Sequence, residues 1–298
     1  MRNYSIRYDY VLPIQSKLPF SLAYPFANLT SLRAAKKDPM AFNAAHQAKR
    51  TLDNPNFNPQ AFIKAYCQMV EYDRLDSFMM PRLTTPRNIQ SLIQVSGIEK
   101  VNKLKRAGRK IILTSGHFGR FWMNGPVLRL NNHTVSTLTR DGGDENTHQL
   151  HPAEFRYRKM KLDNIQKVLG GPFLVEGGNI KPLYHALKEH IVVLLFDVPY
   201  ADLSVVKTVQ VNFLNQKIHV PIGLYRIALK SKAAVVPYFA VAGKRGRVHI
   251  EYADIYEAKD YSAEDFMQAM ATLLEQQILK NPSQWWLWSS LPDMQVKK

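Results

Sequence analysis

Ile111-Ile112-Leu113-Thr114-Ser115-Gly116-His117-Phe118-Gly119 decides the fold. Ile111 to Thr114 is a short apolar run between Ala107-Gly108 and Ser115-Gly116, the form of a strand covered on both faces. Similar runs recur downstream at Val135 to Thr139, Ile191 to Phe196, Ala234 to Val241 and Val248 to Tyr252. Helical spacing over roughly 121–130, 148–168, 179–189, 220–231 and 262–280 separates most of them. Strand alternating with helix predicts an α/β fold with a mostly parallel central sheet flanked by helices. In such sheets chemistry gathers where strands end, which singles out Ser115 to Gly119 and Asp197-Val198-Pro199.

Upstream of Ala107 the pattern is helical. Residues 30–51, 60–80 and 88–104 each read as helices, with Asn54-Pro55, Asn58-Pro59, Pro81 and Pro86 as breaks. The chain therefore reads as one domain, 1–298, with a helical region over 1–106 and an α/β core over 107–298. Residues 10–29 are rich in Tyr, Phe, Leu and Pro. Pro13, Lys17, Pro19 and Pro25 interrupt them, so they read as neither a signal peptide nor a spanning helix, which needs about 20 apolar residues. Interfacial lipid contact and an arm packed on the body are both open for this stretch.

The 298 residues carry 40 Lys and Arg against 24 Asp and Glu, a net charge of +16. With 46% hydrophobic residues the chain is globular in composition, and the charge calls for an anionic partner. A membrane face or an acidic protein fits better than nucleic acid, since no zinc-finger spacing, RNP-like box or zipper accompanies the basic runs. A single cysteine, Cys67, excludes a disulfide framework and a thiolate zinc cluster. There is no P-loop, G-x-G-x-x-G or G-x-S-x-G, so nucleotide use and a serine nucleophile have no support. His148 and His151 stand at i, i+3 without an obvious third ligand, so no metal site is expected.

His117 is the leading candidate for chemistry. It follows a strand, lies between Gly116 and Gly119, and carries a group able to act as general base on a hydroxyl. Asp197 ends a buried strand and either organises the site, by pairing with Arg140, or terminates a turn. Glu176, before Gly177-Gly178, lies between a strand and a helix, where the helix dipole favours an acid.

The string ILTSGHFGRFWMNGP resembles the catalytic loop of the lysophospholipid acyltransferase superfamily, most of all its lipid A late acyltransferase branch. Further resemblances follow in order from about residue 60 to residue 292: VVLLFDVP at 192–199, Val211-Asn212-Phe213, Val220-Pro221-Ile222-Gly223, AAVVPYF at 233–239, and Asn281-Pro282 with Gln284-Trp285-Trp286-Leu287-Trp288. The resemblance implies transfer of an acyl group from a thioester to a hydroxyl. His117 would be the base, and N–H groups near Gly116 to Gly119 would steady the oxyanion. It also implies phosphate or acceptor contacts by Arg120, Arg140, Arg156 and Arg158, and an acceptor contact by Glu176. No bound cofactor is expected. The donor would ride on the phosphopantetheine of an acyl or aminoacyl carrier protein. The acceptor would be lipid A or another anionic lipid, at the cytoplasmic face of the inner membrane.

One departure matters. Four residues beyond His117, where the family has the acid that orients the histidine, stands Trp122. Either His117 works alone, or a carboxylate arrives from another loop, or the chemistry is lost; Glu176 and Asp197 are the candidates for that carboxylate, while Asp144 and Glu145, in a Gly-rich loop, read as solvated acids. This departure suggests a divergent branch resembling the lipid A glycyltransferases, which confer polymyxin resistance by adding positive charge; their small donor would suit a short pocket beside Trp122, Phe121 and Phe118, residues that fit core packing equally well. A fatty acyltransferase acting on lipid A or a secondary metabolite, and a non-catalytic lipid-binding relative, are the alternatives.

Overall fold

A computed structural model describes residues 5–139, 146, 149–176, 179–200 and 206–296. Within them the strands are β1 (Ile93–Ser96), β2 (Ile111–Ser115), β3 (Val135–Thr139), β4 (Gly170–Val175), β5 (Ile191–Leu195), β6 (Thr208–Phe213), β7 (Gln216–Pro221), β8 (Ala234–Ala242), β9 (Val248–Tyr252) and β10 (Tyr256–Glu257). The main sheet runs β1-β9-β8-β2-β5-β3-β4, with β10 added antiparallel on β8. Strands β8, β2, β5, β3 and β4 are mutually parallel, and the one antiparallel step along this path is β8–β9. The central sheet is thus mostly parallel and flanked by helices, as the alternation predicts.

β2 is buried along its whole length. In register, Ile112 lies opposite Val192 on β5 and Val235 on β8. Because side chains alternate across a strand, Ile112, Val192 and Val235 enter one core and Ile111, Leu113 and Val193 the other. Helices α3 (Pro39–Thr51), α9 (Lys181–Glu189), α10 (Gly223–Ser231) and α11 (Ala263–Lys280) cover the first side. On the second lie α2 (Phe20–Ala34), α5 (Pro86–Leu92), α6 (Ile98–Arg106), α7 (Asn124–Leu130) and α8 (Pro152–Leu169). α4 (Pro59–Met79) contributes to both, α1 (Leu12–Ser16) follows a π-helical turn, Ile6–Val11, and α12 (Leu291–Met294) closes the chain.

Three expectations change. Residues 88–104 are not one helix: Gly97, at φ +82°, separates β1 from α6, and the region expected to be purely helical contributes an edge strand parallel to β9. Residues 30–51 divide at Asp38, whose carboxylate caps α3 by accepting from the Met40 N–H. Finally, 208–221 is a hairpin that the apolar pattern does not announce. Leu214 and Asn215, both at positive φ, form its two-residue turn. The 10–29 stretch packs on the body through Tyr24, which is fully buried edge-on to Tyr72.

Candidate active site

The site is built where β2 and β5 end side by side. The chain leaves β2 through Gly116 and turns at Gly119, which has φ +60°. A Cβ on Gly119 would stand 2.0 Å from the Ala240 carbonyl oxygen, so only glycine fits. The C-terminal segment stitches this loop in place. Gly119 N–H donates to Gln284 O (2.7 Å), Trp286 N–H to His117 O (2.9 Å), and the Trp286 indole to Gly119 O (2.8 Å). Trp285 and Trp288 are fully buried beneath it. The tryptophan-rich end of the sequence is therefore a structural clamp.

Asp197 follows β5 and is buried. Its Oδ1 lies 2.7 Å from His117 Nδ1. The His117 backbone N–H donates to both carboxylate oxygens, at 3.0 and 2.9 Å, and the Trp285 indole donates to Oδ2 at 2.9 Å. Three donors thus hold the carboxylate in one position against the ring. A carboxylate accepting at Nδ1 places the neutral ring's proton there and leaves Nε2 with its lone pair. The carboxylate missing at Trp122 is supplied from a neighbouring strand. It is Asp197, and Glu176 does not take that place.

His117 opens on a cavity of about 510 Å³. Leu138, Leu162, Phe173, Val193, Leu195 and Leu224 form much of its wall, with Phe121 and Trp122 beside the histidine. Trp122 packs between Phe121 and Phe173, with tilted rings whose centroids are 4.9 and 6.4 Å away. Glu176 is the one acid on the described wall, and it accepts the Tyr200 hydroxyl.

Several sequence expectations meet a different geometry. Arg120 does not face the cavity. It is fully buried on the far side of the loop, where Nε donates to Asp76 Oδ2 (2.7 Å), Nη2 to Asp76 Oδ1 and Nη1 to the Gly246 carbonyl. Its guanidinium lies over Tyr24 (4.9 Å) and Tyr72 (5.4 Å). Burial pushes the Asp76 carboxyl up, while the carboxylate holds Arg120 charged. A phosphate cannot reach that group. Arg156 reaches Asp9 instead (2.7 Å), Arg158 lies on α8, and neither lines the cavity. Arg140, Asp144, Glu145 and His148 lie outside the described residues, while His151 accepts the Ala153 N–H at the start of α8.

The N–H groups of His117, Phe118, Gly119 and Arg120 are all engaged, with Asp197, Gly116 O, Gln284 O and Ala240 O respectively. They are not free to serve an oxyanion. Sequence reading did not foresee Trp285 as a donor to the carboxylate, since 88 residues separate them and no local spacing joins them.

The chain resembles the crystal structure of the 1-acyl-sn-glycerophosphate (LPA) acyltransferase, PlsC, from Thermotoga maritima. Identity is 13%, covering 86% of this chain and 96% of that one, with a TM-score of 0.38. No curated protein matches it. The model of the bacterial lipid A biosynthesis acyltransferase family matches residues 53–290, which span the loop of His117, Asp197 and the clamp of Trp285, and the chain belongs to that family.

Proposed function

We propose that the protein transfers a fatty acyl group from a thioester on a carrier protein's phosphopantetheine to a hydroxyl of lipid A, at the surface of the inner membrane. The His117–Asp197 contact carries this reading. Asp197 holds the Nδ1 proton and orients the ring. Nε2 takes the proton of the acceptor hydroxyl as its oxygen attacks the thioester carbonyl carbon. The carbon–sulfur bond then breaks, and the proton on Nε2 passes to the departing thiolate. Asp197 stabilises the imidazolium formed between these steps.

The cavity favours a fatty acyl donor. Its apolar wall suits a hydrocarbon chain, and a glycyl group would leave most of it unfilled. A second reading has one observation in its favour: Glu176, the one acid among the described residues of the wall, would pair with the ammonium of a glycyl donor. That reading carries the charge change that weakens polymyxin binding.

Mass spectrometry of lipid A from cells with and without the protein tests both. Loss of a fatty acyl mass on deletion supports the first reading, and loss of a glycine residue's mass supports the second. Unchanged lipid A, with no transfer by purified protein to lipid A, overturns both.

A further inference from the structure

Attack on a thioester carbon places negative charge on the carbonyl oxygen, and a site that speeds the reaction must meet that charge with donors. The loop of His117 does not meet it, because its N–H groups at His117, Phe118, Gly119 and Arg120 are all engaged within the protein. His117 cannot serve, since Nε2 is the base and Nδ1 faces Asp197. On the cavity wall, the Thr137 hydroxyl donates to the Val193 carbonyl (3.2 Å) and the Tyr200 hydroxyl to Glu176.

Trp122 is different. The indoles of Trp285, Trp286 and Trp288 donate to Asp197 Oδ2, Gly119 O and Pro282 O, at 2.9, 2.8 and 2.7 Å. The Trp122 indole, on the wall, donates to no group among the described residues. Its nitrogen is not sealed in the core either. Trp122 is half-buried, and the fully buried side-chain atoms left without a partner among the described residues are Ser115 Oγ, Asn124 Nδ2 and Gln216 Nε2. An indole N–H can only donate, so an accessible one beside a reacting centre calls for an acceptor. The ring itself is held between Phe121 and Phe173. The donor is therefore fixed before substrate arrives, which is what electrostatic preorganisation requires.

Phe121 stands edge-on to His117 at 5.8 Å, so the indole lies one ring away from the imidazole. The reaction asks for such a separation. The attacking oxygen must lie about 3 Å from Nε2, and the thioester carbon about 3 Å beyond it. The charged oxygen thus forms a side chain's width from the histidine rather than against it.

We infer that the Trp122 indole N–H donates a hydrogen bond to the oxyanion of the acyl-transfer step, which makes Trp122 a catalytic residue. The inference rests on the proposed function. As the acceptor oxygen bonds to the carbonyl carbon, the C=O π pair moves onto oxygen, where the indole N–H meets it. When that pair returns, the carbon–sulfur bond breaks and the thiolate takes the proton held on Nε2. Trp122 keeps its own proton throughout. With Asp197 supplying the carboxylate, position 122 is released from orienting the imidazole and acts on the substrate instead.

Replacing Trp122 with benzothienylalanine in the full chain, by codon suppression, tests the donor alone: sulfur takes the place of the N–H and the bicyclic shape stays. The variant should lose about 10–100-fold in kcat, the effect of one hydrogen bond to a charged oxygen. KM for the carrier thioester, Tm and the acyl-length preference should stay at their wild-type values. The loss should be the same at every pH, because an indole does not titrate. Wild-type kcat in this variant overturns the inference and leaves the proposed function standing. A loss accompanied by a lower Tm or an altered length preference also overturns it, since Trp122 then acts as wall alone. The Ser290 hydroxyl is also on the wall and without a partner among the described residues. A loss on Ser290→Ala with none in the benzothienylalanine protein moves the oxyanion there and overturns the inference. A wild type that transfers no acyl group overturns the proposed function, and the inference falls with it.

Discussion

Asp197 Oδ1 lies 2.7 Å from His117 Nδ1, although the two residues are 80 positions apart. They meet because β2 and β5 are parallel neighbours in register, Ser115 opposite Leu195, so both chains leave the sheet at the same edge. An acid four residues beyond the histidine would have to meet it within a single loop. Here the sheet supplies the spacing, and position 122 is free to carry a cavity wall.

The first prediction concerns that pair. Asp197→Asn lowers kcat by about 10²–10⁴, and His117→Ala by at least as much. The double variant is no worse than His117→Ala, because the residues act as a unit. Rate measurements with a purified carrier thioester check this. Wild-type turnover in either variant removes the dyad from the mechanism.

Arg120 is predicted to act on stability rather than on lipid recognition. Arg120→Ala leaves Asp76 buried without its partner and costs about 3–5 kcal/mol. Arg120→Lys keeps the charge but loses the paired donors, and it lowers Tm while leaving KM for the lipid near its wild-type value. A raised KM at unchanged Tm would return Arg120 to the substrate.

Gly119→Ala forces a Cβ into the Ala240 carbonyl and a side chain onto a φ of +60°. The loop must shift, at a cost of about 1–3 kcal/mol, and His117 moves with it. Tm and kcat should fall together. A fully active variant would show that the loop does not set the position of His117.

Trp122→Ala opens the wall between Phe121 and Phe173. The donor preference should move toward longer acyl chains, with kcat/KM for the native donor down roughly 10–100-fold. Competition among carrier thioesters of graded length measures this. An unchanged profile would place the chain elsewhere.

Alkaline pH should unfold the protein through its buried phenols. Burial pushes Tyr66 up to about 12, and Tyr157 likewise to about 12. An unfolded phenol ionises near 10, so above that pH the unfolded state releases its proton first. Stability is full below pH 10 and declines between pH 10 and 12, by on the order of 2 kcal/mol per group. Urea midpoints at pH 9 and 11 read the decline, and Tyr66→Phe should lessen it.

Much of the architecture is legible in the sequence. Ile111 to Thr114 and Ile191 to Leu195 are strands because runs this short and apolar are stable only when covered on both faces, and the sheet provides that. Residues 208–221 and β1 are less legible. The hairpin depends on two residues taking positive φ without glycine, and β1 gains its pairing from β9, over 150 residues away.

By itself the sequence determines the alternation of strand and helix, the histidine at a strand end, and the absence of an acid at position 122, because these depend on neighbours along the chain. Only the tertiary structure decides which carboxylate meets His117, and that Arg120 turns inward to Asp76 rather than outward to a ligand. It also turns the loop's N–H groups to Asp197, Gly116, Gln284 and Ala240. Each of these is a choice among partners far apart in sequence, made when the sheet brings its strand ends together and every buried polar group must find a match.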